Sequence, residues 1–326
     1  MNSISVTGKK WVLREFNESE INYLKEDFFL EDITAKLIAI KKIKKDEIKN
    51  FLKPSIKNIL PNPDILKDMK KTTLRTVKSI IAKDKIGIFG DYDVDGASSV
   101  AMLGKYFSLL NCSYEVYIPD RKLEGYGPSI KGFERLIKKG VKIIFTVDCG
   151  TLSFDPILYA YKKEIDILVL DHHQSEIELP KAFSIINPNR LDDTSELSNL
   201  CAAGVCFMFL VSLNKELRNI DWFKKNNVKE PNLINFLDLV SLGTVCDVVP
   251  LTGINRAIVT QGLKIIDTKK NLGLKTLLDI SGVNTKITPY HLGYVLGPRI
   301  NAGGRVGKCS HGANLLLNIN SKEVFQ

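Results

Sequence analysis

Five short apolar runs, separated by stretches of helical spacing, restrict this chain more than anything else in it. The runs cover residues 86–89, 114–118, 143–147, 167–170 and 183–186, and helices fit between them near 97–110, 129–139 and 154–163. Parallel strands can be joined only by a crossover that returns the chain to the same edge, and a helix is the usual way to do it. The expected fold is therefore α/β: a mainly parallel five-stranded sheet with crossover helices, a helical N-terminal preface and a helical C-terminal extension.

The polar residues collect where these runs stop. The first run leads into Gly90-Asp91-Tyr92-Asp93-Val94-Asp95-Gly96, which puts Asp91, Asp93 and Asp95 within five residues. Charges that close raise one another's pKa unless a cation holds them. Val147 is followed by Asp148, Cys149 and Gly150, and Leu170 by Asp171, His172 and His173. An Asp after a strand is commonly just a helix N-cap, and a lone His pair is commonly incidental. Here, however, three strand ends carry these residue types, and in open α/β sheets the functional crevice lies beyond the carboxyl ends of the strands. The parallel topology would thus bring distant segments to one metal site.

Two later stretches join this reading. Asp247 stands in Gly243-Thr244-Val245-Cys246-Asp247-Val248-Val249-Pro250, an apolar turn bounded by Gly and Pro. A carboxylate among such neighbours calls for a metal or another cation. Residues 297–307 read as a glycine-rich turn carrying Arg299, Asn301 and Arg305. Close backbone approach and two guanidinium groups suit a phosphate.

The preface spans residues 10–83. Helical spacing picks out Ile33, Leu37 and Ile40, then Ile48, Phe51 and Leu52 before Pro54; Pro61 and Pro63 precede a further helix over 66–82. Beyond the sheet, helices are expected over 202–213, 233–242, 255–266 and 272–280, with another beginning at 312–326. Residues 1–85 hold 19 Lys+Arg against 12 Asp+Glu, a surplus of 7 out of the net +9. Cations around a carboxylate cluster fit a metal-dependent site for a polyanion. The six cysteines form no Cys-x-x-Cys pair, so reduced thiols are expected. The N-terminus lacks the apolar core of a secretory signal, so a soluble, cytoplasmic protein is expected. A dinucleotide-binding fold is excluded, because the turn after the first strand is acidic where a Gly-x-Gly-x-x-Gly cradle would be needed.

Asp-Tyr-Asp-Val-Asp-Gly, Val-Asp-Cys-Gly, Asp-His-His and Gly-Thr-Val-Cys-Asp-Val-Val-Pro-Leu, in that order, resemble the motifs of the DHH phosphoesterases. Phe-Leu-Lys-Pro at 51–54, Asp68-Met69, Glu-Gly-Tyr-Gly at 124–127 and Pro-Arg-Ile-Asn-Ala-Gly-Gly-Arg at 298–305 are similar to the single-strand-specific DNA exonucleases among them. The resemblance implies two divalent cations, Mn2+ or Mg2+, and hydrolysis of single-stranded DNA from a 5′ end in DNA repair and recombination. It implies that Asp93 and Asp148 hold one cation, and that Asp95, Asp148, His172 and Asp247 hold the other, with Asp148 as the bridge. His173 would face the scissile phosphate, Asp171 would orient the histidines, and Arg299, Asn301 and Arg305 would bind phosphate.

Some members carry a histidine four residues before the aspartate matched by Asp93. Here that position is Phe89, and Asp91 is the candidate replacement. Three regions follow: 1–84 as an extension packing on the core, 85–250 as the DHH core, and 251–326 as a helical extension. The chain is expected to stop before a connecting helix and a DHHA1 domain, which would reduce processivity. Single-strand-binding protein and a helicase are the implied partners. Two other functions remain open: a phosphodiesterase or pyrophosphatase acting on oligonucleotides or cyclic dinucleotides, and a non-catalytic replication scaffold.

Overall fold

The computed structural model describes residues 4–10, 12, 14–306 and 308–318. They belong to two compact units, Met1–Pro54 and Ser55–Gln326. The sequence-based division at 84/85 is thus not where the chain separates: residues 55–84 belong with the sheet.

In the first unit, α1 (Glu18–Phe28), α2 (Asp32–Ile40) and α3 (Ile48–Leu52) close on Ile21, Leu24, Ala35, Ile38, Ala39 and Ile48. Asn17 starts α1 by accepting the Ser19 N–H at 2.9 Å. Ile33 and Leu37, expected inside, are exposed, and Ala35, Ile38 and Ala39 face the core in their place. Helix α2 is apolar on more than one side, so spacing alone could not choose the buried stripe.

The second unit opens with α4 (Ile56–Ile59) and a 3-10 turn at Pro63–Ile65, then α5 (Met69–Ala82). The sheet follows: β1 (Ile86–Gly90), β2 (Tyr114–Tyr117), β3 (Ile143–Val147), β4 (Asp166–Leu170) and β5 (Ser184–Ile186). All pairings are parallel, in the order β2-β1-β3-β4-β5. The crossover helices are α6 (Val94–Leu109), α7 (Ile130–Lys138) and α8 (Phe154–Lys162).

Side chains alternate between the two faces of the sheet, as a pleated strand requires. Ile86, Ile88, Ile143, Phe145, Leu168 and Leu170 enter one core, while Phe89, Ile144, Ile167 and Val169 enter the other with Phe133 and Ile157. Burial on both faces explains why the strands read as nearly unbroken apolar runs.

Strand order and register together position the site. The chain goes from β1 outward to β2 and then returns to β3 on the other side, so a topological switch point lies between β1 and β3. Gly90 pairs with Val147, Val147 with Leu170, and Leu170 with Ile186. The strands therefore end level, and the residues that follow, Asp91, Asp148, Asp171 and Asn187, stand in a row along the carboxyl edge. Backbone hydrogen bonds continue past the strand ends: Asp148 N–H donates to Leu170 O at 3.1 Å, and Asp171 N–H to Ile186 O at 3.0 Å.

Helices α9 (Ala202–Asn219), α10 (Trp222–Lys225), α11 (Leu237–Cys246), α12 (Gly253–Asp267), α13 (Leu272–Ile280), α14 (Gly297–Val306) and α15 (His311–Leu317) complete the unit. Helices α9, α11 and α15 all pack on α6. That enclosure explains why α6 is small and apolar almost all round, and the C-terminal Leu292, Leu296, Ile300 and Leu316 share its core.

Two expected turns are helical. Residues 243–246 end α11, and Asp247 is its C-cap. Residues 297–306 form α14, continuing from a π-helical stretch at His291–Leu296, so the phosphate-binding glycine turn is corrected to a helix face. None of Gly297, Gly303 and Gly304 has positive φ. At Gly297 the reason for glycine is contact, since a Cβ would lie 2.6 Å from Cys246 Sγ. Gly307 and the 319–326 part of the expected terminal helix lie outside the described residues. The six cysteines are all free thiols. No helix among the described residues is long and apolar enough to cross a membrane.

Candidate metal centre

Three sets of side chains bring ligand atoms within 4.8 Å of one another: Asp91, Asp93 and Asp148; Asp95, His172 and Asp247; and Asp148, His172 and His173. All seven residues expected at the centre are therefore gathered, from the ends of β1, β3 and β4, the first turn of α6 and the end of α11. His172 Nε2 lies 3.3 Å from Asp148 Oδ1 and 3.8 Å from Asp95 Oδ2, while its Nδ1 is 3.6 Å from Asp247 Oδ2. Asp148 and His172 each belong to two sets, which makes them the junction of the cluster.

Local structure aims each group. Asp93 is the N-cap of α6, its Oδ1 accepting the Gly96 N–H at 2.9 Å. The helix consequently starts at Val94 rather than near 97, and Asp95 falls in its first turn. Asp95 carries a structural duty as well: Oδ2 accepts from Ala202 N–H at 2.6 Å and Oδ1 from Ala203 N–H at 2.9 Å, capping α9. Asp148 occupies the left-handed region at φ 60, a conformation that Asp and Asn tolerate better than most residues.

The electrostatics are those of a site that favours positive charge. Burial and the Asp93 charge push Asp91 up to about 7. Burial, then Asp247 and Asp93, push Asp95 up to about 7, and burial with Asp93 raises Asp247 to about 6. Asp148 is raised well above the usual carboxylate range by burial and by Asp95 and Asp93. Burial and the adjacent His173 lower the pKa of His172, leaving the neutral imidazole that a metal needs. Asp91 Oδ1 and His172 Nε2 are buried without any hydrogen-bond partner. Orphaned polar atoms of that kind are costly unless a ligand takes them up. The oxygen-rich donor set with imidazole therefore fits divalent cations.

Asp171 acts differently from its neighbours. Burial would raise its pKa, but hydrogen bonds from His173 and Thr151 hold it below the usual range. It accepts from His173 Nδ1 at 2.7 Å, from the backbone N–H of His172 at 2.8 Å, and from Thr151 N–H at 3.0 Å. The expected orienting role thus divides: Asp171 holds the ring of His173, but only the backbone of His172. That hydrogen bond raises the pKa of His173, which is about half exposed, with 46% of its side chain open to solvent.

Sequence reasoning gave no role to several residues that build this edge. The Tyr126 hydroxyl donates to Asp148 O at 2.9 Å and lies 3.3 Å from His173 Nε2. Asn187 Nδ2 donates to His173 O and to Thr151 Oγ1, both at 2.8 Å, and Asn189 Nδ2 donates to His172 O. The Asn-Pro-Asn after β5 was the available signal, since it continues the row of strand ends. Phe89 is fully buried against Phe133 and Tyr117, so Asp91 is the β1-end residue that joins the cluster.

Of the three expected phosphate ligands, Asn301 and Arg305 line a cavity of about 270 Å³ with Cys246, Gly293 and Gly297. Arg299 does not line it; its Nη1 donates to Val295 O at 2.7 Å on the exposed side of the helix. A larger cavity of about 740 Å³, lined by Ile80, Cys112 and Trp222 among others, holds none of the clustered carboxylates or histidines.

Gly243 makes the junction of α6, α9 and α11 possible. A Cβ there would collide with the Asp95 carboxylate and lie 2.9 Å from the Ala203 Cβ. Gly→Ala in a helix interior normally stabilises. Gly243→Ala is expected to destabilise by about 2 kcal/mol, as overpacking does, and a thermal melt that rises would refute this.

A family description, "DHH family, N-terminal domain", matches residues 85–244. The chain is 37% identical to the single-stranded-DNA-specific exonuclease RecJ of Escherichia coli (strain K12) over 276 residues, covering 84% of this chain and 48% of that protein. It is 29% identical to RecJ of Bacillus subtilis (strain 168) over 316 residues, covering 97% and 38%. A crystal structure of exonuclease RecJ bound to manganese is similar with a TM-score of 0.69 at 27% identity, over 80% of this chain and 63% of that one. The chain thus spans about half the length, or less, of these curated relatives.

Proposed function

The chain belongs to the DHH family through residues 85–244, and from that premise we propose that it hydrolyses single-stranded DNA from a 5′ end with two divalent cations. The observation that carries this reading is the sharing of ligands. Asp91, Asp93 and Asp148 would hold one cation, and Asp95, His172 and Asp247 the other, with Asp148 3.3 Å from His172 and able to serve both. Manganese is the proposed metal, supported by the manganese-bound RecJ structure and by the mixed carboxylate and imidazole donors. Bound there, the cations would supply Lewis-acid polarisation of the phosphoryl group and a water acidic enough to react near neutral pH.

The rest of the work belongs to the protein. His173, with Nδ1 held by Asp171, keeps its proton toward neutral pH and is half exposed, so its ring is available to a phosphate oxygen. The Tyr126 hydroxyl donates to Asp148 O, and its oxygen lies 3.3 Å from His173 Nε2 and 3.4 Å from Nδ1, so it restrains the ring as well. Asn301 and Arg305 would bind phosphate from their cavity. We further assign the activity to the cytoplasm, with single-strand-binding protein and a helicase as partners.

The test compares manganese-dependent hydrolysis of 5′-phosphorylated and 3′-phosphorylated single strands, beside dinucleotides and pyrophosphate. Preference for the 5′-phosphorylated strand supports the proposal; turnover of pyrophosphate alone, or none with any metal, overturns it. His173→Ala is expected to lower turnover by about 10²-fold, the scale of a lost acid or donor, with manganese binding retained. Full turnover in that variant would remove His173 from the reaction.

A further inference from the structure

We infer that Tyr290 and Tyr294 form a base-stacking platform for single-stranded nucleic acid, at the outer end of a helix that packs against α11 and Tyr92 beside the metal centre. The inference rests on the proposed function, because it assigns the path of that substrate. Tyr290 and Tyr294 lie about one turn apart, with ring centroids 5.3 Å apart and planes inclined by 23°. They are 63% and 73% exposed. A stacked aromatic pair open to solvent presents a large flat apolar face, and base-on-aromatic stacking is how single strands are held regardless of sequence.

Charge complementarity identifies the occupant. From residue 280 to residue 318 the chain contains no Asp or Glu, whereas it carries Lys286, Arg299, Arg305 and Lys308. In a chain with 46 basic and 37 acidic residues, a stretch whose own charges are all positive suits a polyanion; Asp267, which meets it, accepts the Ile287 N–H at 3.3 Å. Exposed stacking rings on a segment whose own charges are all positive match a strand of bases and phosphates better than they match an apolar peptide.

Packing ties this surface to the chemistry. A Cβ on Gly293 would lie 3.4 Å from Val245, and one on Gly297 would lie 2.6 Å from Cys246 Sγ, the two residues just before Asp247. Gly304 lies against Tyr92, between Asp91 and Asp93. The helix therefore crosses the centre at both the α11 end and the β1 end, and the cavity holding Asn301 and Arg305 lies along it. Four residues apart on one helix, Tyr290 and Tyr294 share a face, and the π-helical stretch at His291–Leu296 continues directly into α14. Thr288 and His291 brace that turn, with Thr288 N–H donating to His291 Nδ1 at 3.0 Å.

The test is fluorescence anisotropy of the chain with a labelled single-stranded oligonucleotide of about 12 residues, in calcium to prevent turnover. The Tyr290→Ala/Tyr294→Ala double variant, checked for folding by its thermal melt, is expected to bind roughly tenfold more weakly or worse, the scale of losing one stacked base. Tyr290→Phe/Tyr294→Phe is expected to bind as the wild type does, because the ring and not the hydroxyl stacks. The wild type should also lose about tenfold on an abasic strand, while the Ala variant should not respond to base removal. Equal affinity of the wild-type and Ala chains, loss of binding in the Phe variant, or no binding by the wild type overturns the inference. Manganese-dependent hydrolysis of a 5′-phosphorylated single strand by the wild-type chain reports separately on the proposed function: a chain that hydrolyses it but shows no dependence on the tyrosines loses the platform and keeps the metal centre.

Discussion

Asp148→Asn is expected to lower divalent-dependent hydrolysis by about 10³-fold or more while leaving the chelated protein as stable as the wild type, or more so. The loss follows from position, since Asp148 belongs to two of the three donor sets and is the group proposed to serve both cations; losing several kcal/mol of metal-derived stabilisation corresponds to that factor. Stability should survive because the charge removed is a liability without metal: Asp148 is buried, and the charges of Asp95 and Asp93 raise the cost of its own. Asparagine is the right probe, as it keeps the shape and tolerates the left-handed backbone at φ 60, where alanine would add strain. The Tyr126 hydrogen bond goes to the Asp148 carbonyl and is untouched.

Asp95→Asn supplies the contrast. Both Asp95 oxygens accept buried N–H groups at the start of α9, and an amide retains only one acceptor atom. That variant should lose about 1–3 kcal/mol of stability together with activity. Differential scanning calorimetry in chelator separates the two cases. If both variants melt lower by the same amount, the cluster is a structural ion network and the metal assignment falls.

The second large effect is on stability against pH. In chelator, the melting temperature should fall as pH rises from about 5 to 7.5, opposite to the usual behaviour of proteins stabilised by ionised carboxylates. Asp91 and Asp95 have folded pKa values of about 7 and Asp247 of about 6, whereas the unfolded chain ionises near 3.9. Between these limits the folded state binds more protons than the unfolded state, so stability declines with rising pH, by about 1.4 kcal/mol per pH unit for each group in transition. The decline is complete above the folded values. Asp171, held low, acts in the opposite direction but only in more acid solution. Manganese or magnesium should remove most of the decline, because metal replaces the bound protons, and Asp91→Asn should remove part of it without metal. A chelated protein that becomes steadily more stable up to pH 7.5 would show that these carboxylates are not held protonated.

The sequence carried the sheet, all five strands to within a residue or two, and the set of Asp and His residues that cluster beyond the strand ends. Those features depend on local rules. Apolar runs of strand length, interrupted by polar residues at their ends, admit few alternatives once the crossovers require parallel pairing. The errors fell where local pattern is ambiguous. Gly297, Gly303 and Gly304 read as a turn because glycine most often marks one, but here Gly297 serves close packing against Cys246. Asp247 read as a turn residue and is the C-cap of α11.

What the chain's own order determined, then, is which residues would end the strands: Asp91, Asp148 and Asp171 follow the last apolar residue of β1, β3 and β4 by composition alone. What only the tertiary structure decided is how their labour divides. Level register made those strand ends a row, the N-terminus of α9 claimed both oxygens of Asp95, and Asp171 turned to the ring of His173 instead of His172. The helix through 290–305 was drawn across the centre by contacts with Val245, Cys246 and Tyr92, residues far from it in sequence. A motif specifies residue types at fixed spacing, but the role of a buried carboxylate depends on which N–H groups and charges fold against it, and those come from elsewhere in the chain.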